Sequence, residues 1–366
     1  MSSVTRLILG TTMFLALLFG FVDPLWPDAA VSFKRLHIFL FNLVAGGSII
    51  LYFTEGRTKV SLKTSAYFVL ALLYSLSASA GVYWLTLLIS IPLFLVVESV
   101  RVRRFSLFPV DFFRPRVSAS DKFHQASVLC LSAGIAIAFL VICNAVYFPL
   151  VSYEKLTLNV FFLGYSFPIS LITMSIMFSF MRGEKGPFRR FLEELAFWLV
   201  NLGVIVFFIF IIVEMFAFEI TAAVTLFLTV GMIFVLFIRT GARVQQKTFL
   251  TSGMTFLLLT GLTGVLYIWL YFLPGSESAR AFLLVLHAMV SLYGWNLSGL
   301  ITIIRWDDFP IKLNSTLVIS LHWAIVLVLA PLGKYYPWLA LIALPAYIFL
   351  LALVCTSRGK GQQRQI

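Results

Sequence analysis

Only four histidines occur in 366 residues, and each falls in or beside an apolar run, at His37, His124, His287 and His322. Imidazole can hold a transition metal or haem iron, and it can pass a proton near neutral pH. At membrane depth an ionisable group is costly, which makes it a functional candidate by default. Other chemistry is thin. Cys130, Cys143 and Cys355 lie in apolar segments without a C-x-x-C pair, which excludes a disulfide framework and a thiolate zinc site. Glycine-rich phosphate loops, H-E-x-x-H and nucleophile-elbow patterns are absent. Glu98, Glu193, Glu194, Glu214 and Glu219 fall at the ends of apolar runs, where water is expected to reach them. A proton relay would need an acid in the middle of a run, and none is there.

The elements that must position these histidines follow from composition. The chain is 61% hydrophobic, 16% aromatic and only 11% charged, too little charge to cover a soluble surface. The fold class is therefore all-α and polytopic in a membrane. A hydrocarbon core of about 30 Å takes about 20 apolar residues per helix. Twelve runs qualify: Leu7–Val22, Leu36–Phe53, Ala66–Ala80, Val82–Val97, Ala126–Phe148, Leu156–Met181, Leu195–Val213, Ile220–Ile238, Phe249–Leu273, Ala281–Ile304, Leu317–Ala330 and Trp338–Cys355. Only Ser77-Ala78-Ser79-Ala80-Gly81 separates the third run from the fourth. Together they are too long for one straight helix, so a tight hairpin is expected, with a merged span as the alternative.

The net charge of +12 reads as a topology signal rather than as affinity for nucleic acid. With twelve spans, all Lys and Arg except Lys34, Arg35, Lys155, Arg280 and Lys334 fall on the face that carries the N-terminus. The positive-inside rule then places both termini in the cytoplasm of a multi-pass protein, expected in a bacterial cytoplasmic membrane. In this topology His37 and His287 lie in the outer parts of spans two and ten, which run in the same direction. Their depths match to about one turn. His124 opens span five at the inner interface beside Asp121 and Lys122, and His322 lies in the inner half of span eleven. Asn42, Asn144, Asn201 and Asn296 are placed to bond between helices. The loop from Glu98 to Lys122, with alternating Arg and aromatic residues, is a topology-setting loop that can lie on anionic lipid.

Spans two, six and ten read alike. They run from His37 through Asn42 to Gly46-Gly47, from Asn159 through Gly164 and Pro168 to Thr173, and from His287 through Gly294 and Asn296 to Thr302. The chain then factorises as a single transmembrane domain over 1–366, with repeats 1–121, 122–248 and 249–357 and no soluble domain. On these residues and this span count, the chain resembles subunit I of the haem-copper oxidases, with their nitric oxide reductase and nitric-oxide-response relatives. The resemblance implies three four-helix arcs, with a low-spin haem held between histidines of the second and tenth helices. His37 and His287 would be those iron ligands, with His322 and His124 as secondary candidates. The copper-binding histidines of the family are missing, since span six carries Asn159 and span seven has none. The second histidine of the tenth helix is missing too, and Ile38 stands where a glycine usually follows the first.

Three functions follow as expectations. The first is a non-catalytic oxidase-like protein with one bis-histidine haem b, passing electrons between a quinone pool and a redox partner protein, and not a complete oxidase or reductase by itself. The second is a twelve-helix secondary transporter of an apolar or weakly polar solute. The third is a structural subunit of a membrane complex.

Overall fold

The computed structural model describes residues 1–56, 59–152, 156–181 and 186–359, with the side chains of all of these except 157–163 and 311. The described chain is helical with no strands, and its long helices number twelve: α1 (Ser3–Leu25), α2 (Phe33–Glu55), α3 (Leu62–Ser79), α4 (Tyr83–Arg104), α5 (Ala119–Val146), α6 (Leu156–Phe180), α7 (Pro187–Ile212), α8 (Phe216–Thr240), α9 (Lys247–Phe272), α10 (Glu277–Ile304), α11 (Thr316–Gly333) and α12 (Pro337–Thr356). Ten of them are long and apolar enough to cross a membrane. Leu88, Leu228, Leu341 and Phe349 stand exposed on the outside, as lipid-facing side chains would. The protein is an all-α, multi-pass integral membrane protein.

The doubtful third and fourth runs are separate helices. Gly81 takes a left-handed φ of +72° just after α3. The amides of Gly81 and Val82 return to the carbonyls of Ala78 and Ser77, which closes the helix end in two residues. Several helices begin earlier than their apolar runs. Ser118 accepts the Asp121 amide and starts α5 there, so Lys122 and His124 lie inside the helix and are buried. Lys122 is neutralised by Glu194 of α7 at 2.7 Å. Glu193 and Glu219 are buried rather than water-exposed; Glu193 pairs with Arg189 at 2.9 Å. Lys122 and Arg189 extend helices here because each finds a carboxylate partner.

Each helix packs on its chain neighbours, and α12 returns to pack on α1. Inside this ring α2, α6 and α10 touch one another pairwise, and α2 is almost wholly enclosed. These are the three spans whose sequences read alike. On the N-terminal face the first, tenth and last helices are tied together. Arg6 bonds Asp308 at 3.1 Å, while the fully buried Arg305 bonds Asp308, the Val354 carbonyl and the Ser357 carbonyl.

Three π-helical stretches interrupt the long helices, at Leu40–Gly46 in α2, Val290–Asn296 in α10 and Ile325–Leu329 in α11. Each begins three residues after a histidine: His37, His287 and His322. A π turn displaces the regular backbone bonds and leaves carbonyls short of their donors. In α10 the Leu297 amide bonds the carbonyls of Leu292 and Gly294, passing over Tyr293. The His322 Nε2–H donates to that Tyr293 carbonyl at 2.6 Å. In α2 the Leu43 carbonyl shares the Gly47 amide with those of Asn42 and Val44, and the Tyr67 hydroxyl of α3 adds a donor at 3.0 Å. Leu43 and Tyr293 stand at the same offset from His37 and His287, and each donor comes from the following helix.

α5 and α6 cross closely at Gly134 and Gly164. A Cβ added to Gly134 would lie 2.5 Å from the Gly164 Cα, and backbone cannot yield as a side chain can. Gly134→Ala is expected to destabilise the protein by about 1–3 kcal/mol through overpacking. Gly231→Ala, whose Cβ would meet nothing within 4 Å, should stay within about 0.5 kcal/mol of wild type. Unfolding of both variants in nanodiscs checks the contrast.

Candidate functional site

The four histidines have four different surroundings. The buried His37 donates from Nδ1 to the Ala16 carbonyl of α1 at 2.7 Å, and the Tyr293 hydroxyl of α10 lies 3.0 Å from the same nitrogen. A Cβ on Gly20 would run into this ring at 2.8 Å, so α1 is shaped to admit it. Tyr293 also packs on Phe41 and Tyr347. The space among α1, α2, α10 and α12 is thus filled by His37, Tyr293 and Tyr347. His322 stacks on Phe249 and meets Phe256 while it caps the π turn. His124 lies between Phe53 and Phe105. The Thr54 hydroxyl already donates to the Ile50 carbonyl, so His124 Nε2–H donates to Thr54 Oγ1 at 2.9 Å. His124 is thus a buried tie between α5 and α2.

His287 faces elsewhere. Its Nδ1 bonds the Thr260 carbonyl of α9 at 3.0 Å, with Thr263 Oγ1 3.3 Å away. The ring lines a cavity of about 240 Å³ bounded by α6, α7, α8, α9 and α10. His37 and His287 therefore address different sides of α10: Tyr293 projects from the side facing His37, and His287 projects toward α9. Among the described contacts none joins the two imidazoles: the Tyr293 phenol of α10 lies at His37 Nδ1, and His287 Nδ1 is held by the Thr260 carbonyl of α9. Among the described residues no group of three or more His, Cys, Asp or Glu is placed to hold a metal.

The cavity is the strongest candidate site. Its walls are mostly apolar, with Phe207, Phe227 and Leu257 among them, and its polar residues are Ser166, Ser170, Thr260, His287 and Ser291. Such a composition, apolar with a few converging polar groups, is typical of small-molecule sites. Ser170, Leu226, Thr260 and His287 each lie within about four residues, or about 6 Å, of the middle of their helices. The cavity is thus near mid-depth. Behind its α6 wall stands a fixed polar brace. Trp295 Nε1 donates to Ser170 Oγ at 3.1 Å, Ser170 donates to Asn296 Oδ1 at 3.0 Å, and Asn296 Nδ2 donates to Ser166 Oγ at 3.0 Å.

Of the four asparagines expected to bridge helices, only Asn296 does so among the described contacts. Asn144 bonds the Leu150 and Val151 backbone that follows its own helix. Asn201 bonds back to Phe197 in α7, and the buried Asn42 amide has no hydrogen-bond partner. Asn159 lies outside the described side chains. Ser166, Ser170, Ser291 and Thr260 carry no motif, and nothing in their local sequence marks them. Comparison with protein-family models and with curated proteins finds no match.

Two outcomes are expected. A reduced-minus-oxidised spectrum of the purified protein should lack a b-type haem band; a band lost in the joint His37→Ala, His287→Ala variant would reject this geometry. His322→Phe keeps the ring stack but leaves the Tyr293 carbonyl bare, and should lower stability by about 1–3 kcal/mol. His322→Gln, which restores a donor, should recover part of that loss in the same unfolding assay.

Proposed function

We propose that this protein is a membrane carrier whose site is the mid-depth cavity, and that its solute is an apolar molecule bearing a small polar group. The observation that supports it is the placement of His287 and the α6 serines around an apolar space where five helices meet. Carriers of many folds bind near the bilayer midplane, at helices whose regularity is interrupted. Here α10 turns into its π stretch three residues after His287. The absence of any acid from the described cavity lining suits an uncharged solute. The pairwise packing of α2, α6 and α10 supports kinship of fold with the oxidase subunits, three four-helix units around three central helices, with haem left out of the function. We place the N-terminal face in the cytoplasm, on the distribution of Lys and Arg.

A carrier must expose its site to each side in turn. With Cys130, Cys143 and Cys355 replaced by Ala, a Ser291→Cys thiol should react with a membrane-impermeant maleimide applied from either face of oriented vesicles. Labelling from neither face would sink the carrier reading and reduce the cavity to a packing gap.

A further inference from the structure

The polar groups of the cavity differ in what they offer a ligand, and the hydrogen bonds already made decide this. The Thr260 carbonyl can only accept, so its bond at 3.0 Å fixes the proton of His287 on Nδ1. No carboxylate lines the cavity to balance an imidazolium, and an uncompensated charge at this depth is costly. The ring is therefore neutral, and its Nε2 carries a lone pair. Across the cavity Ser170 gives its only proton to Asn296 Oδ1 and receives one from Trp295, so what it has left is also a lone pair. The Thr260 hydroxyl gives its proton back to the Phe256 carbonyl at 2.9 Å. Three groups of the wall are thus committed as acceptors, while the Ser166 and Ser291 hydroxyls keep their protons.

We propose, resting on the carrier reading above, that the site selects a hydrogen-bond donor. Its ligand class is neutral apolar molecules with a hydroxyl, such as a phenol or hydroquinone head, in preference to the matching ether or ketone. A ligand that only accepts would bring its lone pairs against those of His287 and Ser170 in a low-dielectric space, and would leave both unpaired. The preference depends on the second bond of each group: Thr260 on His287, Asn296 on Ser170. These bonds prevent either residue from turning its own proton toward the cavity.

The test uses the full protein in nanodiscs with two probes that differ in one proton, 4-butylphenol and 4-butylanisole. Binding is read from the shift of unfolding temperature at equal mole fraction in the bilayer. The phenol should bind about five- to tenfold more tightly, the discrimination expected of one net hydrogen bond. Since the anisole is the more lipophilic probe, partition alone would bias the result the other way. His287→Leu should bring the two probes to equal affinity, and His287→Gln, whose carbonyl can accept, should restore a preference. If both probes bind wild type equally, the cavity is a site but the donor rule is overturned. If neither binds, the carrier reading and the donor rule are rejected together. The wild-type comparison decides even if a variant fails to fold.

Discussion

In lipid a backbone carbonyl without a donor has no water to turn to, and the centre of this protein is organised by that constraint. The π stretches of α2 and α10 displace backbone bonds in the most enclosed part of the bundle. Each is served by a side chain from the next helix, Tyr67 on the Leu43 carbonyl and His322 on the Tyr293 carbonyl. Interhelical bonds of this kind contribute about 0.6–1.7 kcal/mol each in membranes, but at Tyr293, which the Leu297 amide passes over, the alternative is a bare carbonyl, which costs more. His322 is thereby explained as structure. The equal offsets of Leu43 and Tyr293 give the likeness of α2 and α10 a geometric content beyond their shared letters.

A second consequence concerns α10 itself. Tyr293 turns toward α1, α2 and α12 and closes that compartment with His37 and Tyr347. His287 turns toward α9 and leaves the compartment on its side open. One helix thus divides a packed polar core from a cavity, and the Trp295–Ser170–Asn296–Ser166 chain holds the dividing wall against α6. The chemistry of the cavity is set by the partners of its polar groups, Thr260 within the wall and Trp295 and Asn296 behind it.

Sequence reading recovers the elements better than the site. Twelve apolar runs correspond to twelve helices because the membrane demands length and apolarity, both of which are local properties. Helix ends are less legible: α5 and α7 continue through charged turns, because Lys122 meets Glu194 and Arg189 meets Glu193, pairings that no local pattern shows. His37 and His287 each precede a π stretch by three residues, yet they bond different helices, α1 and α9. Which neighbour each ring meets depends on how the helices are arranged around it, and that is not written in hydropathy. The cavity is least legible of all. Ser166, Ser170, Thr260 and Ser291 are ordinary hydroxyl residues of membrane helices until five helices bring them to one depth.

The junction of Arg6, Asp308 and Arg305 with the carbonyls of Val354 and Ser357 has a bearing on biosynthesis. Arg6 and Asp308 are 302 residues apart along the chain, so α1 stands at an open seam until the helices that follow reach it. Until then the guanidinium of Arg305 lacks the carbonyls of the last helix that complete its bonding. Asp308 balances its charge from within the same stretch of chain, so what α12 supplies is the remaining acceptors, and the seam between α1 and α12 closes on them.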